Sequence, residues 1–316
     1  MTAKADAKNS FPPPVFVLAA PRSFSSLVNA MIGQHPQLYG LPELNLFQCD
    51  TIEEFNTRGK ASGGHMAKVW ASLRQGLLRA IAQIYAGEQS ADTVRMAERW
   101  LRVREDRTTT EVFQEICAEV APLRVVEKSP GVMRKLDFME RMLAAFPDAK
   151  FIHLVRNPLS QCESMLNAKG GVGVLMALNS IDYRGDIAEL EPQIAWHDVQ
   201  IRALKFLDKL PDDQFITIKG EEFLSDLNES LPALCRWLEI DDSPDAIAAM
   251  RRPEDSPYSC IGPANARLGN DVNFLKNPKL REGNVRSPDL DTPLSWRKDG
   301  QTLHPDVKSL AVALGY

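Results

Sequence analysis

The amino-acid sequence predicts an α/β fold, a three-layer sandwich built on a central parallel sheet, and two observations predict it. Four short apolar runs, Val15–Ala20, Leu123–Val126, Phe151–Val155 and Phe215–Ile218, are separated by helical patterns. Each run is rich in Val, Ile, Leu or Phe with little polar alternation, as expected of parallel strands covered on both faces. Strands alternating with helices imply crossover connections and helices on either side of the sheet. In such sheets ligands bind beyond the carboxyl ends of the strands, so the residues after each run carry the functional information.

The chain opens on a polar, alanine-rich stretch and Pro12-Pro13-Pro14, read as a flexible tail over residues 1–14 that leads stiffly into the first strand. Residues 15–316 read as one domain, since an α/β fold can use this length without division. After Val15–Ala20 comes Pro21-Arg22-Ser23-Phe24-Ser25-Ser26, and then a helical pattern in Leu27, Val28, Met31 and Ile32. A buried strand turning through an arginine and hydroxyls into a helix N-terminus suits an anion, although a serine-rich turn is also a plain helix cap. Residues 51–122 read as an all-helical insertion, with patterns over Met66–Tyr85, Thr93–Arg104 and Thr110–Val120. It reads either as a cap over the site or as peripheral packing. Pro147–Lys150 and Pro211–Gln214 punctuate the entries to the last two strands. Residues 251–297, rich in Pro, Asn, Asp and Gly, are long for a loop and read as functional rather than as a linker.

Composition excludes several classes. The formal net charge of −5 gives no basic field for nucleic acid, so a polyanionic ligand must meet locally gathered cations. The 5 cysteines are scattered without a C-x-x-C pair, which fits reduced thiols in a cytoplasmic protein, and the 5 histidines lack ligand spacing, so no metal is expected. No run reaches membrane-spanning length. The strand ends then agree with one another: Arg22 to Ser26 follows the first, Glu127-Lys128-Ser129-Pro130 the second, and Arg156-Asn157-Pro158 the third, with Ser164 eight residues beyond Arg156. Three cations and two helix N-termini on one sheet edge suit a ligand carrying two separated phosphate groups.

Pro21-Arg22-Ser23-x-Ser25-Ser26-Leu27, followed by Leu154-Val155-Arg156-Asn157-Pro158 and Ser164, resembles the two nucleotide motifs of the sulfotransferases that use 3′-phosphoadenosine 5′-phosphosulfate (PAPS). Ile218-Lys219-Gly220-Glu221-Glu222-Phe223, Leu303-His304-Pro305 and Leu314-Gly315-Tyr316 extend the likeness over nearly the whole chain, with Gly220 in place of an aromatic residue. Among relatives, the helical insertion and the segment from Leu268-Gly269-Asn270-Asp271 to Trp296 look most like bacterial sulfotransferases associated with polyketide and olefin synthases. The resemblance implies the P-loop-like sulfotransferase fold. It also implies PAPS as co-substrate, adenosine 3′,5′-bisphosphate as product, a first loop that cradles the phosphosulfate, and an Arg156…Ser164 pair on the 3′-phosphate. The acceptor would be a hydroxyl on a small molecule or on an acyl chain, free or carried on a carrier protein.

Two departures stand out. The family's first loop usually has Gly where this chain has Phe24, which bears on the loop's backbone and could pack against the nucleotide. Cytosolic phenol-type members have a histidine base beside the catalytic lysine, whereas here Ser129 follows Lys128. Leu41-Pro42-Glu43-Leu44-Asn45-Leu46-Phe47 resembles the segment that supplies a glutamate base in the heparan-type branch, which makes Glu43 the candidate base. His197, in Ala195-Trp196-His197-Asp198, is a second candidate. Sulfonate transfer needs a base for the acceptor hydroxyl and cations for the leaving oxygen, so Arg22 and Lys128 take the second task with help from Ser23 and Ser25. Two alternatives remain at this level: a kinase of the P-loop type, disfavoured because G-x-x-x-x-G-K-[ST] is missing, and a non-catalytic nucleotide-binding module. His153 reads as structural, and Trp70, Trp100 and Trp237 as packing residues.

Overall fold

A computed structural model describes residues 11–62, 64–184, 188–280, 285 and 287–316. Strand β1 (Val15–Ala19) is wholly buried and leads into helix α1 (Ser25–Ile32). Strand β2 (Leu38–Gly40) follows, and then five helices: α2 (Ile52–Ser62), α3 (Gly64–Leu73), α4 (Gln75–Ala86), α5 (Ala91–Arg102) and α6 (Thr109–Val120). The chain continues through β3 (Arg124–Glu127), α7 (Leu136–Ala145), β4 (Lys150–Val155), α8 (Pro158–Leu166) and α9 (Gly171–Ala177). A two-stranded antiparallel pair, β5 (Ile181–Asp182) and β6 (Glu189–Leu190), precedes α10 (Pro192–Leu207) and β7 (Phe215–Lys219). The last elements are α11 (Gly220–Ser225), α12 (Leu227–Leu238), α13 (Pro244–Met250), α14 (Val272–Lys276) and α15 (Pro305–Ala313).

The main sheet has five parallel strands in the order β2-β3-β1-β4-β7. Alternation along β1 builds the two outer layers. Phe16 and Leu18 point into one core with residues of α4, α6, α7 and α10, while Val15, Val17 and Ala19 point into a second core with α1, α12 and α13. The first core is aromatic at its centre: Phe16 lies 5.6 Å from each of Phe47, Phe113 and Phe151. Truncating Phe16 to alanine at such a junction costs about 3–5 kcal/mol.

All four strands expected from the sequence are present within a residue or two. Three short ones were missed: β2 of the main sheet, three residues long with no apolar run to betray it, and the two-residue strands β5 and β6. The expected helix over Met66–Tyr85 is two helices, interrupted at Arg74, and Gly76 in the first turn of α4 packs on the backbone of Glu43, where a Cβ would lie 2.0 Å from the Glu43 carbonyl oxygen. The threonine run does start α6, with Thr108 and Glu111 capping each other's backbone N–H. Of the tail expected over residues 1–14, the first ten lie outside the described residues. Phe11 to Pro14 is instead docked: Phe11 is buried near Phe146, and the Pro13 carbonyl accepts from Arg124. Cys49, Cys117, Cys162 and Cys235 are buried free thiols, and Cys260 is an exposed one. Among the described residues no helix is long and apolar enough to cross a membrane.

Candidate active site

The loop from β1 to α1 is tightly bent. Arg22 at φ 71° and Phe24 at φ 60° both occupy the left-handed region that favours glycine. Two ties hold it: the buried Ser23 hydroxyl donates to Gln161 Oε1 at 3.0 Å, and Gln161 Nε2 donates to the Pro21 carbonyl at 3.1 Å. Ser23 therefore shapes the loop from behind. Phe24 is the N-cap residue of α1 and no side chain caps that helix, so its first N–H groups and the positive end of its dipole face the loop. The N-terminus of α8 behaves differently from expectation. Asn157 accepts from Leu159 N and Ser160 N, so only one of the two helix ends expected at the ligand is left uncapped.

Lys128 leaves the end of β3 with its side chain 0% exposed. Its ammonium donates to Ser26 Oγ at 3.0 Å, to Asn270 Oδ1 at 3.5 Å and, in a short contact, to Glu43 Oε1. One nitrogen thus joins the first loop, the candidate base and a loop from the C-terminal segment. Glu43 keeps 21% of its side chain exposed and is fixed through its backbone, which donates to the Gly269 carbonyl at 2.7 Å. The α4 helix backs this arrangement, since Gly76 lies against Glu43 and Gly269 against Gly76. Of the two readings of the helical insertion, its α4 is thus part of the support beneath the site, and its apolar residues share the main core.

The residues after Glu43 are held by Glu127, a residue to which sequence reasoning assigns no role. The Leu44 N–H donates to Glu127 Oε1 at 3.3 Å, Ser129 Oγ donates to the same oxygen, and Asn45 N donates to Ser129 Oγ at 2.8 Å. Glu127 is fully buried, and its Oε2 has no partner among the described residues. Burial pushes its pKa up to about 7, against the opposing pull of Ser129, Leu44 N and Lys128.

Arg156 follows β4. Its Nη1 donates to the Arg22 carbonyl at 2.7 Å, its guanidinium lies 4.2 Å over the Phe24 ring, and its buried Nε, 4.0 Å from Glu221 Oε1, has no hydrogen-bond partner among the described residues. Burial lowers its pKa, and Glu221 acts in the opposite direction. Ser164 on α8 bonds Arg22 instead of Arg156, accepting from Arg22 Nε at 3.1 Å. Arg22 is thus the link between the two expected nucleotide motifs. It also pairs with Asp271, whose backbone N–H donates to Ser26 Oγ at 3.2 Å. The strap Gly269-Asn270-Asp271 therefore touches Glu43, Lys128 and Arg22 in turn; its place in a long polar segment and the family resemblance of that segment drew attention to it, without assigning these residues a role. His197 is half-buried on α10, with its Nδ1 3.3 Å from its neighbour Asp198. His153 is buried between Thr217 and Gln200, and burial lowers its pKa to about 4, as befits a structural residue.

A family model described as the sulfotransferase family matches residues 13–244. The chain belongs to the sulfotransferase family. It is accordingly a sulfotransferase enzyme. Two solved structures share its fold over nearly their whole length. The sulfotransferase domain from the curacin biosynthetic pathway is 23% identical, with a TM-score of 0.72, covering 96% of this chain and 98% of that one. The sulfotransferase domain from the Synechococcus PCC 7002 olefin synthase is 21% identical, with a TM-score of 0.70, covering 100% and 98%. No curated protein matches the sequence.

Proposed function

We propose that this sulfotransferase moves the sulfonate of PAPS to a hydroxyl of a small-molecule or acyl-chain acceptor, with Glu43 as general base. The observation that carries the reading is the junction at Lys128 Nζ, where Glu43, Ser26 of the first loop and Asn270 meet on one buried cation. The residues present fit a doubly phosphorylated nucleotide. Among the described residues, no side chain caps the N-terminus of α1, Arg22 and Lys128 stand beside it, and Arg156 keeps a buried donor without a partner.

PAPS supplies the sulfonate, whose sulfur bonds to the acceptor oxygen as the bond to the nucleotide phosphate breaks. Glu43 accepts the acceptor's hydroxyl proton at its carboxylate. Arg22, Lys128 and the first N–H groups of α1 meet the negative charge on the departing phosphate and the sulfonate oxygens. Ser25 and Ser26 add hydroxyls, Ser23 and Gln161 fix the loop, and Arg156, with Ser164 through Arg22, reads the 3′-phosphate. His197, whose bonding partner is Asp198, is left the lesser role of orienting the acceptor. No step calls on a metal ion.

The company the fold keeps supports one class of acceptor. Its structural neighbours come from a curacin pathway and an olefin synthase, which supports a hydroxylated acyl chain of secondary metabolism, free or held as a carrier-protein thioester. We place the work in residues 15–316 acting as one domain in the cytoplasm. Incubation with radiolabelled PAPS and a panel of hydroxyacyl thioesters, alcohols, phenols and sugars tests the reading. Label is expected in a hydroxyacyl product, and adenosine 3′,5′-bisphosphate should raise the melting temperature. Turnover strictly dependent on ATP and Mg²⁺ would overturn it.

A further inference from the structure

Phe24 occupies a backbone conformation that a bulky side chain seldom adopts, and such outliers persist only where the surroundings hold them. The surroundings here are specific. One face of the ring carries the Arg156 guanidinium at 4.2 Å. The ring also lies against Gly220, the first residue of α11, where an added Cβ would come within 2.7 Å of Phe24 Cδ2. Take the ring away and, of the three nearest atoms, only the Val155 carbonyl oxygen at 3.4 Å remains, an ordinary contact. The missing side chain at 220 is thus the space into which the ring at 24 fits. The Arg22 carbonyl, two residues before Phe24, takes Arg156 Nη1 at 2.7 Å. The same short loop therefore grips the guanidinium on its face and at one tip, while the buried Nε has no partner among the described residues.

We propose that Phe24 is a positioning residue that sets the Arg156 guanidinium by cation–π contact for the 3′-phosphate of the nucleotide, Gly220 providing the room for its ring. This rests on the reading of Arg156 as the 3′-phosphate arginine. Phe24 acts through Arg156, so its loss is felt on the 3′-phosphate and not on the rest of the nucleotide.

The test is calorimetric titration with adenosine 3′,5′-bisphosphate and with adenosine 5′-monophosphate, which lacks the 3′-phosphate. In Phe24→Ala the bisphosphate is expected to bind about tenfold more weakly, within the range of a partly desolvated cation–π pair, and the monophosphate as before. Phe24→Leu keeps the apolar bulk without a π face and shows the same selective loss should the alanine variant fail to fold. Phe24→Ala/Arg156→Ala binds no worse than Arg156→Ala alone. Equal losses on both nucleotides, or losses at 24 and 156 that multiply, overturn the proposal. A wild-type preference for the bisphosphate that survives intact in both Phe24 variants overturns it as well. A wild-type protein that binds the two nucleotides equally overturns the reading of Arg156 itself.

Discussion

Replacing Glu127 by glutamine should change how the stability of this protein depends on pH. The carboxyl is fully buried and burial raises its pKa from 4.5 to about 7. The folded state therefore holds the proton more tightly than the unfolded chain does. Below pH 4.5 the group is protonated in both states and its stabilising contribution is complete. As pH rises to 7 the unfolded chain ionises first, and stability is lost. A shift of this size corresponds to about 3 kcal/mol, with a slope approaching about 1.4 kcal/mol per pH unit in the middle of the window. The glutamine oxygen can keep the bonds from Leu44 N and Ser129 Oγ, whereas its NH₂ falls where Oε2 had no partner, at a roughly pH-independent cost of about 1–3 kcal/mol. Urea unfolding of both proteins at half-unit steps from pH 4.5 to 7.5 supplies the comparison, and subtracting the curves cancels the other titrating groups. The variant should gain on the wild type by about 3 kcal/mol across that range. Curves that run parallel refute the buried, proton-retaining state of Glu127.

Other substitutions probe the site itself. Glu43→Gln should lower kcat by about 100- to 10,000-fold with bisphosphate affinity little changed, while His197→Ala stays within about twofold; the reverse ranking would make His197 the base. Asp271→Asn keeps the oxygen that caps α14 and removes a negative charge from Arg22. Bisphosphate should then bind about fivefold more tightly, as measured by calorimetry, from the roughly 1 kcal/mol of a partly exposed pair. Gly76→Ala forces a methyl against the Glu43 carbonyl and should cost about 1–3 kcal/mol in urea unfolding, together with activity; an unchanged midpoint would show that α4 does not support the base loop.

The sheet was legible because parallel strands buried on both faces announce themselves as apolar runs, and Phe16 and Val17 feeding opposite cores bear that out. The three-residue β2 was not, since its pairing comes from its neighbour β3 and not from its own composition. The candidate residues after β1, β3 and β4 stand out by their place at strand ends, and the structure bonds Lys128 to Glu43 and Arg156 to Arg22, the two pairs meeting through Ser26 and Asp271. Their partnerships were not readable. That Ser164 bonds Arg22, that Asn157 caps α8, and that Asp271 arrives from more than 200 residues away depends on tertiary contacts that no local spacing encodes. Glu127 was hidden for a related reason: a carboxyl in a strand looks like an edge residue until its burial is seen. Phe24 was visible as an oddity, and its explanation lay in the absent side chain of Gly220.

The contact between Glu43 and the wholly buried Lys128 has a consequence for charge during turnover. At rest the two side chains cancel. On the proposed mechanism, Glu43 becomes neutral on taking the acceptor's proton, and the ammonium is left uncompensated in a poorly solvated place. That happens in the same event that puts a new negative charge on the departing phosphate. The pair therefore behaves as a latent cation whose field is unmasked by the reaction it serves, so proton removal at one end of the transferring group strengthens the hold on the other.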